Sequence, residues 1–191
     1  MASTYRIPKA ELTGAYGRLL ETVTRRMWGK VPDNLYVAFH HRPVMNAVFG
    51  FERKVAKWDA LDPHLKTYAT MATAAAIGCS WCLDFGYYLA HTDGLEEAKV
   101  REVPRWRKSE LFTPLERDVL EYAEAMTATP PSVDDTLSAR LQETLGVKAV
   151  VELTQMVALE NMRARFNLAA GVEAQGFSDV CELPLAVRSH S

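Results

Sequence analysis

Cysteine is scarce in this chain: three occur in 191 residues, at 79, 82 and 181. So few, so unevenly placed, exclude the disulfide framework of a small secreted scaffold and leave thiol chemistry or plain burial as their uses. A block of positive charge is also missing. Lys and Arg number 22 against 24 Asp and Glu, a formal net charge of -2, so no basic field exists for nucleic acid or anionic lipid. No stretch has the length and apolarity of a membrane span. The longest uncharged run, Thr67 to Leu83, is rich in Ala and Thr and falls short of the roughly 20 strongly apolar residues needed. The opening "MASTYRIPKAELTG" has no apolar core after its first charges and does not read as a secretory leader. These absences lead to the expectation of a soluble, cytoplasmic protein with neither nucleic-acid nor membrane partners.

Missing too is any alternating apolar and polar run bounded by turn signals, and with it the pattern of a half-buried strand. What is present is helical punctuation. With 48% hydrophobic and 24% charged residues the chain can bury one ordinary core, so one domain over residues 1–191 is expected. Residues 9–29 carry Leu12, Ala15, Leu19, Val23 and Met27 at helical spacing and stop at Gly29. A short helix follows from about Asn34, then a break before Pro43 and an amphipathic helix toward Trp58. Asp62 with Pro63 opens a helix that runs to Gly78, and the next starts at the cysteines. "GLEEAKVREV" makes a short helix closed by Pro104. Thr113, Pro114 and Glu116 form a capping-box start, and that helix stops at Pro130 and Pro131. Ser132, Asp134 and Asp135 open the helix that ends at Gly146, and residues 147–170 form the longest helix, closed by Gly171. The fold expected is all-α, with about eight helices.

The segment "GCSWCLDFG" carries the chemistry. Gly78 would end one helix, placing Cys79 at the cap of the next and Cys82 one turn later on the same face, close enough for a reversible disulfide. Unpaired N-H groups and the positive end of the helix dipole stabilise a thiolate there. Two other readings stand beside this one. Amid Ala74 to Ile77, Trp81 and Phe85 the two thiols could be core packing. A closed zinc site would want four ligands, and His91 and the distant Cys181 bring no second pair at ligand spacing, so no metal is expected. A thioredoxin domain needs a strand before the motif, whereas these residues read as helix.

"GCSWCLDFG" after an alanine-rich helix, followed by "ENMRARFN" and "GVEAQGFS", resembles the carboxymuconolactone decarboxylase and alkylhydroperoxidase D-like family over roughly residues 35–180, leaving residues 1–34 as an N-terminal helical extension. The resemblance implies a compact multi-helix subunit and assembly into trimers or hexamers with the cysteine helix beside an interface. It also implies, in the peroxidase branch, reduction of a hydroperoxide with Cys82 attacking and Cys79 resolving, no cofactor, and a thiol reductant. That branch has a glutamate twelve residues before the first cysteine and a histidine four after the second. Here those positions are Thr67 and Gly86, neither a base, and Trp81 stands where some members have histidine between the cysteines. Ionisation of Cys82 would then rest on the helix terminus or another group.

Other residues offer less. Asp84 is expected to be solvated or to complement the helix dipole, and His91 lies about 180° around the helix from Cys82. Gly86 is expected to leave a hollow one turn below Cys82 for a substrate or another subunit's side chain. Trp81 and Tyr87, and by its chemistry Arg163, are the expected substrate contacts, with Tyr88 a further hydroxyl; packing is the alternative for the aromatics. In "ENMRARFN", Glu160 with Arg163, Asn161 with Arg165 and Arg163 with Asn167 stand at helical neighbour spacing, as ion pairs between helices or subunits or as an arginine for a substrate carboxylate. His40 and His41 read as helix-end residues. The leading expectation is thiol-dependent reduction of a hydroperoxide at Cys79 and Cys82. The alternatives are a cofactor-free lyase, isomerase or decarboxylase on a small organic acid using Tyr87, Arg163 or Glu160, and a non-catalytic binding protein. Large groups at Trp58, Trp81, Tyr87 and Phe166 are expected to close the space around the alanine-rich helix, and the polar run Glu160 to Asn167 to face a second subunit.

Overall fold

The computed structural model describes residues 4–188. Among these, nine α-helices and three short 3-10 segments occur and no strand, so the fold is all-α. The helices are α1 (Gly14–Trp28), α2 (Asp33–Ala38), α3 (Arg42–Val55), α4 (Pro63–Ile77), α5 (Ser80–Thr92), α6 (Glu97–Val100), α7 (Pro114–Thr127), α8 (Asp135–Leu145) and α9 (Val147–Ala170). No helix among the described residues is long and apolar enough to cross a membrane.

Helix α4 is the axis of the molecule. Leu65, Tyr68, Ala69, Met71, Ala72, Ala74 and Ala75 are all buried on it, spread around its circumference. Alanine side chains let backbones approach closely, and α7, α9 and α5 all pack against this helix. The main core adds Val119, Leu120 and Ala123 of α7, Leu137 and Leu141 of α8, and Leu153 and Val157 of α9. A fully buried Leu120 or Leu153 contributes about 1.5–3 kcal/mol by leaving water.

The start signals act as their chemistry dictates. The Asp62 carboxylate accepts from the His64 N-H at 2.8 Å, the Thr113 and Glu116 capping box is complete, and Asp134 accepts from Leu137 N-H at 2.7 Å. Gly29, Gly78 and Gly171 end α1, α4 and α9 in the left-handed conformation.

Four differences from expectation have physical causes. Helix α1 begins at Gly14, since the preceding chain folds back so closely that a Cβ on Gly17 would collide with the backbone of Leu12. Its apolar stripe of Leu19, Val23 and Met27 lies on the outer face, 58%, 43% and 59% exposed. Pro104 does not close a helix but sits in the first turn of a 3-10 segment, Val103–Lys108, where its missing N-H costs nothing. Of the large groups expected around α4, Trp58 packs instead against Val55, Met156 and Leu159, and Phe166 is 42% exposed. His41 does serve a helix end, its Nδ1 capping α3 by accepting from Val44 N-H, whereas His40 Nε2 meets the carbonyl of Pro8, outside any helix, at 2.8 Å.

Candidate functional site

The junction between α4 and α5 is two residues long, Gly78 and Cys79. Gly78, at φ +84°, turns the chain out of α4, and Cys79 immediately caps α5 with its sulfur, which accepts from the Cys82 N-H at 3.2 Å. A side chain at Gly78 would be strained by that φ. Cys79 and Cys82 form a disulfide, with Cα atoms 5.3 Å apart. Cys79 is 0% and Cys82 8% exposed, in an apolar cluster with Val37, Ala74, Ala164, Ala170, Val172 and Phe177.

One polar side chain enters this cluster from α9. Asn167, 1% exposed, directs its Nδ2 to Cys82 Sγ at 3.4 Å and lies 3.9 Å from Cys79 Sγ. Its Oδ1 is buried without a hydrogen-bond donor. Helical spacing alone pairs Asn167 with Arg163. A signal for its true place was available in the wider pattern: Glu160, Arg163 and Asn167 stand at i, i+3 and i+7, one face of a helix, and Glu160 and Asn167 are buried.

The positions of the absent glutamate and histidine are filled with packing groups. The Thr67 hydroxyl donates to the Pro63 carbonyl within its own helix at 3.1 Å. Gly86 borders no hollow, contrary to expectation, because the Met71 side chain fills the space: a Cβ at 86 would lie 3.3 Å from Met71 Cγ.

Asp84 is likewise not solvated. At 5% exposure its carboxylate accepts from the N-H groups of Gln175 (2.8 Å), Phe177 (3.0 Å) and Ser178 (2.8 Å), and from the Ser178 hydroxyl (2.7 Å). Burial works to raise its pKa, but these four donors overcome it and hold the carboxyl below its ordinary value. Gln175 continues the network, accepting from Trp81 Nε1 at 3.3 Å and from Asp33 N-H at 2.9 Å. The "GVEAQGFS" segment is therefore fastened to the cysteine helix by buried hydrogen bonds.

The remaining expected residues occupy defined places. Trp81 is 7% exposed and stacks on Phe85, centroids 4.9 Å apart, with Phe177 at its edge. Tyr87 is fully buried, and its hydroxyl donates to the Leu183 carbonyl at 2.9 Å, away from the cysteines; burial pushes that phenol up to about 12. Tyr88 packs on Phe85 and Phe177. Arg163 pairs with both oxygens of Glu52 on α3 and with Glu160 at 3.2 Å. Burial raises Glu160 to about 7 despite the neighbouring Arg163, with Glu52 adding to the rise.

At the far end of α5 the tail does bring Cys181 to His91. Their ligand atoms and one from Glu97 lie within 4.8 Å of one another, a donor set of thiol, imidazole and carboxylate. Both Glu97 oxygens meet protein partners, Oε1 on His91 and Oε2 on the N-H groups of Glu182 and Leu183, so this cluster fastens the tail. Burial and the negative charges of Glu97 and Asp84 push the Cys181 thiol up to about 11.

A groove of about 370 Å³ borders the cysteine turn, with Arg6, Gly78, Ser80, Leu168, Glu173 and Ala174 in its wall. Gly78 and Ser80 flank Cys79, and Leu168 follows Asn167.

Comparison with known proteins agrees with this architecture. The model of the carboxymuconolactone decarboxylase family matches residues 42–125. The uncharacterized protein YnjA of Escherichia coli (strain K12) is 36% identical over 170 residues, covering 88% of this chain and 85% of YnjA. Among solved structures, a peroxidase-related protein from Ralstonia eutropha JMP134 with the alkylhydroperoxidase AhpD core superposes with a TM-score of 0.83 at 17% identity, over 96% of this chain and 100% of that one. A cysteine-to-alanine variant of the debrominase Bmp8, in complex with 2,3,4-tribromopyrrole, gives a TM-score of 0.77 at 20% identity, over 89% and 92%. At those identities the likeness to the solved structures is one of fold.

Proposed function

We propose that this chain, which belongs to the carboxymuconolactone decarboxylase family, is a thiol-dependent oxidoreductase that reduces a hydroperoxide with the Cys79 and Cys82 pair. The observation that carries this reading is the disulfide at the first turn of α5, with a backbone N-H on Cys79 Sγ and the Asn167 amide on Cys82 Sγ. Donors aimed at sulfur favour the thiolate, the nucleophilic form. They supply part of what the absent glutamate and histidine would. In the reduced protein the Cys82 thiolate attacks the terminal peroxide oxygen, the O-O bond breaks, and the alkoxide takes a proton to leave as an alcohol. Cys82 is then a sulfenic acid. The Cys79 thiol condenses with it, expelling water and forming the disulfide, which an external dithiol reduces. The greater exposure of Cys82 supports its role as the attacking group.

The same chemistry extends to other electrophiles, and the debrominase among the fold neighbours makes a bromopyrrole a rational second substrate to assay. Trp81, Phe85 and Phe177 supply aromatic surface beside the cysteines. Arg163, held by two carboxylates, gives no support to a reading built on a substrate carboxylate.

Assembly into a trimer or hexamer belongs to this proposal. The polar run on α9 does not support it, since Glu160, Arg163 and Asn167 find partners within the chain. Support comes from apolar surface instead: Leu19, Val23 and Met27 on α1, and Met162 and Phe166 on α9, are all exposed.

The test of the activity is thiol titration of the reduced protein with and without hydroperoxide, followed by mass spectrometry. One Cys79 to Cys82 disulfide should form per hydroperoxide consumed. Two thiols that stay inert in the folded protein would remove the oxidoreductase reading.

A further inference from the structure

The unpartnered oxygen of Asn167 is the buried side-chain feature of the cysteine site that the disulfide form leaves unexplained. Buried amide oxygens are rarely left without a donor, because the loss of hydration is then uncompensated. The two sulfurs that the amide nitrogen reaches lie in an apolar cluster with Ala74, Ala164, Ala170 and Val172. A disulfide sulfur has no proton to give. A thiol has one.

Reduction changes the hydrogen-bonding character of the two sulfurs beside the amide. An external dithiol breaks the S-S bond and delivers two electrons; one sulfur leaves as thiolate and the other takes a proton, while the dithiol becomes a disulfide and releases the second proton. The thiolate is a far better acceptor than a disulfide sulfur, and the thiol is a new donor. The carboxamide of Asn167 has one group for each: Nδ2, 3.4 Å from Cys82 Sγ, and the unpartnered Oδ1. With Nδ2 engaged by Cys82, Cys79 Sγ, 3.9 Å from the same amide nitrogen, is the sulfur left to supply an S-H.

We infer that Asn167 is a positioning residue for the cysteine pair, matched to its reduced form, with Nδ2 donating to the Cys82 thiolate and Oδ1 accepting from the Cys79 thiol, so that it sets the redox equilibrium of the pair. The inference rests on the oxidoreductase reading and adds the group that tunes it. The amide keeps the reduced state populated and the attacking sulfur ionised. It holds no proton itself, so it acts on the equilibrium and on the thiolate fraction without serving as a base.

The test is equilibration of the full-length protein against reduced and oxidised dithiothreitol, with the fraction of Cys79 to Cys82 disulfide read by alkylation and mass spectrometry, and the alkylation rate followed against pH. Two variants of nearly the same size are compared: Asn167→Leu, which removes donor and acceptor, and Asn167→Asp, which keeps an acceptor but sets a negative charge against the thiolate. Far-UV circular dichroism and thermal melting confirm that each is folded. A hydrogen bond to a charged group corresponds to about a tenfold change in the equilibrium constant or more. Both variants should therefore be reduced at least about tenfold less readily, and the pH midpoint for alkylation should rise, further in Asn167→Asp than in Asn167→Leu. A packing role alone would lower the melting temperature and leave the equilibrium and the pH midpoint in place. A folded variant that matches the wild type within twofold in both readouts overturns the inference, and either variant alone is enough to do so. Failure of the underlying reading has a different signature, a wild-type disulfide that does not open at any dithiol concentration while the protein stays folded.

Discussion

The Asp84 carboxylate accepts the backbone N-H of Gln175 at 2.8 Å across 91 residues of chain, joining the cysteine helix to the segment that follows α9. With Phe177 and Ser178 bound to the same carboxylate, the loop and the start of the 3-10 segment that follows it are held by backbone hydrogen bonds to one side chain.

Replacing Asp84 with Ala strands three backbone donors in a buried setting, and a loss of at least about 3 kcal/mol is expected from urea unfolding at pH 7. Because the folded-state pKa is depressed, the stability this group contributes is present above its unfolded value and disappears as pH falls through the folded one. The wild type should therefore lose stability below about pH 4, and Asp84→Ala should show a shallower acid limb. An unchanged acid limb would dissociate this carboxylate from acid unfolding.

Glu160 has the opposite sign. Its folded pKa is raised to about 7, so the folded state holds a proton that the unfolded state has already released. Stability should decline as pH rises from about 4.5 to about 7 on this account. Glu160→Gln removes the titration and should flatten that part of the profile. Denaturation midpoints for both proteins across this range decide the matter, and parallel slopes would refute it.

Packing at Gly86 predicts how the site resists a histidine. Met71 lies where the ring would go, so Gly86→His alone should overpack the core and cost about 1–3 kcal/mol. Adding Met71→Ala should recover part of that loss. With Thr67→Glu also present, peroxide turnover should rise, since positioned acid-base catalysis is typically worth about 10²- to 10⁴-fold. A well-folded triple variant with unchanged turnover would show that proton removal does not limit the reaction, or that a hydroperoxide is not the substrate.

The assembly proposal predicts a mass well above the 21.4 kDa of one chain by light scattering coupled to gel filtration. Leu19→Glu with Met27→Glu should shift the species toward monomer with helicity retained, because both side chains are exposed in the subunit and cost little there. A wild type that elutes as a monomer at micromolar concentration ends the proposal.

The helices were legible in the sequence because capping and termination are local. Asp62 with Pro63, Thr113 with Glu116, and the left-handed Gly78 and Gly171 act within one turn, and the structure uses each as expected. The placement of Cys79 and Cys82 at a helix start belongs to the same class, since Gly78 and two cysteines three apart leave little freedom. What lay outside the reach of spacing was every contact between distant segments. Periodicity identified α1 but not which side of it would be covered, because an exposed apolar stripe and a buried one read alike. Gly86 read as a hollow because only tertiary packing brings Met71 against it, and Asp84 read as solvated because its donors arrive from the other end of the chain. Asn167 meets the cysteines for the same reason: α4 and α9 pack side by side, and that decides which polar group on α9 faces sulfur. Local sequence set the backbone at the cysteines through steric and hydrogen-bonding rules a few residues in range; the polar environment that governs their chemistry was decided by burial between distant segments, 85 residues apart at Cys82 and Asn167 and 91 at Asp84 and Gln175.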